Sequence, residues 1–166
     1  MRTIKIENLS AEAFRPFGSF ANHLDPAAGD AGGRPVQFTP DLVQQGLGKD
    51  CVVSFSTCRV EKRPWQVDFA EYHSVTCEGI LPLDNDILIH VGPASHPRAG
   101  APVDKFRIFR VPRGTMVVLR PGIWHGAPFT TNDKPANVLI VLPERTYAND
   151  CEFVPLAAED QVQFEA

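Results

Sequence analysis

Apolar and polar side chains alternate along "TIKIEN", residues 3 to 8, the period of a strand with one buried face. Ser10 then stands where an N-cap belongs, with Glu12 and Phe14 in a short helical turn that ends near Pro16. "HLDPAAGDAGGRP", residues 23 to 35, has the Gly, Pro and Ala content of a loop, and "TPDLVQQG", residues 39 to 46, predicts one more helical turn capped by Thr39 or Asp41 and stopped at Gly46. From residue 51 the pattern is dense in short apolar runs separated by turn residues. These are "CVVSFSTCRV", "WQVDFAEYH", "VTCEGILPL", "DILIHVGP", "KFRIFRVP", "TMVVLRP", "ANVLIVLP" and "CEFVPL", with a flexible loop over residues 95 to 104. Seven or more strands with no helical period between them predict an all-β antiparallel sandwich or barrel with a few short helices.

Composition narrows this to one globular domain over residues 1 to 166, since 43% hydrophobic and 22% charged residues suit a single core. The net charge of −4, with Lys and Arg scattered, gives no basic patch for nucleic acid. No run is apolar enough to span a membrane and the N-terminus lacks a secretory pattern, so the expected location is cytoplasmic. Cys51, Cys58, Cys77 and Cys151 lie far apart with no C-x-x-C pair and read as thiols.

The strand "WQVDFAEYH" carries the first candidate chemistry, because Trp65, Val67, Phe69, Glu71 and His73 share one face in an unbroken strand. Three apolar residues turn that face toward a core, where an unpaired acid or imidazole is costly. Glu78 follows five residues after His73, again among apolar neighbours. A second stretch sets Gly114, Gly122 and His125 at offsets 0, +8 and +11, with His125 just past a Pro-Gly pair. If two hairpins bring Glu71, His73, Glu78 and His125 to one cavity, two nitrogens and two carboxylates suit a divalent ion such as Ni, Mn, Zn or Fe with a position left for substrate. The same four side chains can also line a metal-free polar pocket.

These positions resemble the two motifs of the cupin superfamily, in which His73 and Glu78 match the second histidine and the glutamate, Glu71 stands at the first histidine, and Gly114, Gly122 and His125 match the second motif. Pro121 lies one residue beyond the motif's proline, which leaves Arg120 in its place, and Phe129 replaces an asparagine. "LSAEAFRPFGSF", "EYHSVTCEGILPL", "IWHGAPF" and "CEFVPL", in that order, are together similar to the ureidoglycolate lyase family. Members usually carry a second histidine where this chain has Gly126. The resemblance implies a cupin-like jelly-roll barrel, a cytoplasmic homodimer, and cleavage of (S)-ureidoglycolate to glyoxylate and urea in allantoin and purine nitrogen catabolism. It leaves as an alternative an enzyme or binding protein for another small hydroxy or oxo acid or a sugar.

On this reading His73, Glu78, His125 and Glu71 hold the metal, and Glu71 or His125 is the base. Arg120 grips the substrate carboxylate, and Trp124 and His90 line the substrate pocket. Tyr72 faces outward, Lys105, Arg107 and Arg110 form an exposed polar face, and His23 and His96 lie in loops.

Overall fold

In a computed structural model, residues 2–26, 35–49 and 51–166 are described. In chain order the elements are β1 (Arg2–Asn8), α1 (Ala11–Phe14), β2 (Gly18–Asn22), β3 (Val53–Val60), β4 (Gln66–Val67), β5 (Phe69–Tyr72), β6 (Glu78–Pro82) and β7 (Ile87–Val91). They continue with β8 (Arg107–Val111), β9 (Thr115–Leu119), β10 (Phe129–Thr130), β11 (Ala136–Pro143), α2 (Thr146–Asn149), β12 (Glu152–Pro155) and β13 (Val162–Glu165).

The strands form a six-stranded sheet in the order β10-β7-β8-β1-β13-β4, a five-stranded sheet in the order β2-β9-β6-β11-β3, and a β12-β5 pair. All ladders among the described residues are antiparallel except those of β1, which runs parallel to both β8 and β13. The expected all-β fold is present, and the parallel exception arises because the first strand is inserted between two later ones.

Alternation along the strands builds two cores. Ile87, Ile89 and Phe109 of the six-stranded sheet meet Ile80, Val117, Leu119 and Ile140 of the five-stranded sheet. Phe14 fills the end of this core at 0% exposure, its ring edge-on to that of Phe109 with ring centres 5.3 Å apart. Burying such a side chain contributes about 1.5–3 kcal/mol. Ser10 caps α1 as expected, accepting from the Ala13 amide at 3.2 Å. On the opposite face of the six-stranded sheet, Leu88 and Ile108 pack with Val67, Ala70, Trp124, Phe129, Val162 and Phe164.

Three expectations need correction. Residues 39 to 46 form no helix: Asp41 adopts a left-handed φ of 53°, and Gln45 instead donates to the carbonyls of Cys77 and Val141 at 3.0 and 2.7 Å, tying the segment to β6 and β11. "WQVDFAEYH" is not one strand. It breaks at Asp68, where β4 leaves β13 and β5 joins β12, and the break reverses the facing pattern. Trp65 and Val67 pack in the second core, whereas beyond the break Ala70 and Tyr72 do so and Phe69 and Glu71 turn to a cavity. Tyr72 is therefore not outside but packed edge-on against Trp124, ring centres 4.6 Å apart. The expected loop over residues 23 to 35 falls partly outside the described residues. The loop at 95 to 104 contains two short 3₁₀ turns, Pro97–Ala99 and Val103–Lys105. Of the expected polar row before and along β8, Arg107 is held by Glu7 and by the Ala13 carbonyl, and Arg110 by Asp86.

Candidate metal centre

A turn and two strand ends bring the candidate residues together. Pro121 and Gly122 occupy the centre of a turn closed by the Ile123 amide on the Arg120 carbonyl at 3.3 Å, and Gly122 has φ 79°, which a glycine adopts without strain. The chain then runs antiparallel beside the end of β5. Gly122 donates to the His73 carbonyl at 2.7 Å, while Glu71 and His125 exchange backbone hydrogen bonds at 2.7 and 2.8 Å. Glu78, the first residue of β6, lies across from them through its pairing with Leu119 of β9.

His73, Glu78 and His125 each offer one ligand atom, and these atoms all lie within 4.8 Å of one another. The side chains are 2%, 5% and 3% exposed, so the group is shut off from bulk water. Glu78 Oε2 stands 3.2 Å from His73 Nε2 and 2.6 Å from His125 Nε2. Both are ion-pair approaches, and among the described residues no other group hydrogen-bonds to these three atoms.

The other face of each imidazole is already committed. His73 Nδ1 lies 2.6 Å from the Asp150 carbonyl oxygen, and His125 Nδ1 lies 2.7 Å from that of Ile123. A carbonyl only accepts, so each Nδ1 carries its proton and donates, and each neutral ring presents the bare Nε2 lone pair to Glu78. Two lone pairs and a carboxylate in so small a space require a positive charge. Either a proton on His125 or a cation between the three supplies it. The N₂O set fits a first-row divalent ion, and backbone carbonyls that orient ligand imidazoles are the usual outer support of such a site.

The charges around the three groups act in the same direction. Burial alone would raise Glu78, but the charge of His125 and the contacts with both imidazoles outweigh it and hold the carboxyl at about 2. Burial alone would lower His125, but Glu78, the Ile123 carbonyl and Glu71 raise it to about 9.

Beside the three lies a cavity of about 290 Å³, lined by Phe69, Ile80, Ile140 and Phe153 as apolar walls and by Glu71, Glu78, Cys58 and Tyr147 as polar ones. Glu71 is on this wall but outside the three-residue group, and its Oε2 accepts from the Cys151 thiol at 3.4 Å. The two thiols nearby stay protonated: burial and then the carboxylates of Glu71 and Glu78 raise Cys151 to about 12, and burial and then Glu78 raise Cys58.

The remaining expected residues stand elsewhere. Arg120 is exposed and donates to the Arg15 carbonyl near α1, away from the cavity. Trp124 is 2% exposed in the second core, with its indole N–H on Ser95 Oγ at 2.8 Å. His90 faces that core too, its ring centre 5.4 Å from that of Phe106, and burial, then the charges of His125 and Arg63, lower its pKa to about 3. It is separated from the cavity by Gly126, where an added Cβ would stand 2.8 Å from His90 Cε1.

Two contributors escape the sequence pattern. Tyr147, on α2, lines the cavity and sets its ring edge-on to His73, centres 5.9 Å apart. Arg63 donates to the Ala127 and Pro128 carbonyls at 2.7 and 3.2 Å and lies 3.7 Å over the Phe129 ring, fixing the cavity rim. Neither belongs to a short motif, and only the tertiary arrangement identifies them.

Comparison with known proteins places this geometry in context. A family model described as ureidoglycolate lyase matches residues 1–163. The ureidoglycolate lyase of Rhodobacter capsulatus is 30% identical over 132 residues, covering 76% of this chain and 78% of the relative. Among solved structures, chains of Bacillus subtilis oxalate decarboxylase superpose with a TM-score of 0.44 at 17% identity over 63% of this chain. This chain spans only 24% of their length.

Proposed function

The chain belongs to the ureidoglycolate lyase family, and from that premise we propose that it cleaves ureidoglycolate to glyoxylate and urea with a divalent ion held by His73, Glu78 and His125. The observation that carries the metal is the convergence of three buried ligand atoms within 4.8 Å of one another, with both Nδ1 atoms already committed to carbonyls.

The cavity lining strengthens the argument. Among the described residues it contains two carboxylates, Glu71 and Glu78, and no lysine or arginine, so these groups by themselves would repel an anionic substrate. A divalent ion supplies the missing positive charge and lowers the pKa of a nearby hydroxyl.

Cleavage takes the hydroxyl proton from the carbon that carries the carboxylate, converts that C–O bond to C=O, breaks the C–N bond and protonates the departing nitrogen. Glu71 accepts the hydroxyl proton at its carboxylate, whose Oε2 the Cys151 thiol holds in place. Tyr147 donates its phenolic proton to the departing nitrogen and recovers one from Glu71. Its hydroxyl is held protonated, raised first by burial and then by Glu78 and Glu71. Phe69, Ile80, Ile140 and Phe153 give the cavity its apolar walls beside the reacting groups. The proposal extends to a cytoplasmic homodimer in purine nitrogen catabolism; Val53 and Phe55, 39% and 71% exposed on edge strand β3, are apolar surface that a second subunit can cover.

The test is a glyoxylate-release assay with ureidoglycolate on the purified protein beside His73→Ala, Glu78→Gln and His125→Ala. The proposal expects release by the wild type and a loss of at least 100-fold in each variant. Metal uptake without glyoxylate would redirect the site to another small hydroxy or oxo acid.

A further inference from the structure

The turn after β5 is held by a residue far along the chain. Asp150, just past α2, accepts the Ser74 amide at 2.7 Å and its hydroxyl at 2.6 Å on Oδ1, and the Val75 amide at 3.0 Å on Oδ2. Its own backbone carbonyl takes the His73 Nδ1 proton at 2.6 Å. One residue therefore grips the backbone on the C-terminal side of His73 with its side chain and the imidazole with its main chain. The grip is itself anchored. The Asp150 amide donates to the Thr146 carbonyl at 2.8 Å, and Thr146 Oγ1 donates to the Pro143 carbonyl at 2.7 Å, at the end of β11. The same short helix sets the Tyr147 ring against the imidazole.

We infer that Asp150 is a positioning residue for the metal site: by clamping residues 74 and 75 to its carboxylate it holds its carbonyl against His73 Nδ1, which fixes the proton on that nitrogen and aims Nε2 at Glu78. Because three side-chain hydrogen bonds define the clamp, loss of the carboxylate frees the 74–75 turn and the carbonyl moves off the imidazole. The ring can then rotate or exchange its proton between nitrogens, and either change removes a ligand lone pair from the site. Loss of such an outer hydrogen bond typically weakens metal binding by 10–100-fold. The inference rests on the metal reading of the site, but its first consequence, the state of the His73 ring, is present before any ion binds.

The experiment uses Asp150→Ala, Asp150→Asn and Ser74→Ala in the full chain, with two readouts. In chelator-treated protein, ¹⁵N-edited imidazole spectra report which nitrogen of His73 bears the proton. Calorimetric titration with Mn(II) or Zn(II) reports affinity. The expected result is a His73 ring protonated at Nδ1 in the wild type and in Ser74→Ala, and averaged between nitrogens in Asp150→Ala. Metal affinity should fall at least tenfold in Asp150→Ala, less in Asp150→Asn, which keeps one acceptor, and under threefold in Ser74→Ala. If Asp150→Ala is poorly folded by circular dichroism, Asp150→Asn carries the comparison. An unchanged His73 tautomer with affinity within twofold of wild type overturns the inference. Failure of the wild type itself to bind either metal overturns the metal reading, and the spectra alone then decide the role of Asp150.

Discussion

Glu78 between two imidazoles makes the site a competition between a proton and a metal ion. His125 is lifted from 6.5 to about 9, so in the metal-free protein it is charged at neutral pH, and an ion must displace that proton to bind. Metal affinity should therefore rise with pH, by up to tenfold per pH unit between about 6.5 and 9, and level off above; calorimetric titrations across that range measure it. Glu78→Gln removes the only carboxylate within the three-residue group and should weaken metal binding at least 100-fold while leaving the fold intact, read by the same titration and by circular dichroism. His73, Glu78 and His125 were legible in the sequence because a buried acid and imidazole on an apolar background need partners wherever they occur. The expectation for Arg120 failed because a guanidinium at a strand end finds a carbonyl as readily as a substrate, here that of Arg15. Glu71 was legible as a cavity residue, but its place outside the three-residue group was not, since spacing gives facing and not distance.

At the scale of elements, the geometry depends on two glycines that deliver strands to the centre. Gly122 has φ 79°, and Gly122→Ala should cost about 1–2 kcal/mol of stability from the strained turn and lower metal affinity by tilting His125, as thermal melts and titration would show. Gly18, in β2, lies so close to β9 that an added Cβ would meet the Val118 carbonyl oxygen at 1.9 Å. Because backbone cannot yield as a side chain can, Gly18→Ala should destabilise the protein by about 2 kcal/mol or more in denaturant unfolding. The long alternating strands were readable from the pattern. The break at Asp68 was not, because alternation stays intact on either side of it and the partners that pull β4 and β5 apart, β13 and β12, lie some 90 residues away. The two-residue β10 and the four-residue β13 escaped for a related reason: they are short segments made into strands by the neighbours they pair with. The helix expected at 39 to 46 lost to Gln45, whose amide satisfies strand-end carbonyls that a helix would leave open.

For the whole molecule, the ion pair sets a pH window of stability. Glu78, lowered from 4.5 to about 2, contributes fully above pH 4.5 and loses its contribution as pH falls through 2. His125, raised from 6.5 to about 9, contributes fully below pH 6.5 and loses its contribution as pH rises through 9. The metal-free protein should thus be most stable between pH 4.5 and 6.5 with respect to this pair, and lose up to about 3 kcal/mol by pH 9. A bound ion replaces the proton, so the alkaline loss should vanish in the loaded protein, with a melting temperature roughly 5–10 °C higher when the ion is at 100 times its dissociation constant. Melts of chelated and loaded protein at pH 6 and pH 9 separate these cases. The central claim is that one ion, held by His73, Glu78 and His125, is needed to cleave ureidoglycolate. Its most direct test is to strip the protein with chelator and follow glyoxylate release as Mn(II) or Zn(II) is added back. The account predicts negligible release at the start and a linear recovery that saturates at one ion per chain. Undiminished release by stripped protein, confirmed metal-free by elemental analysis, would contradict it.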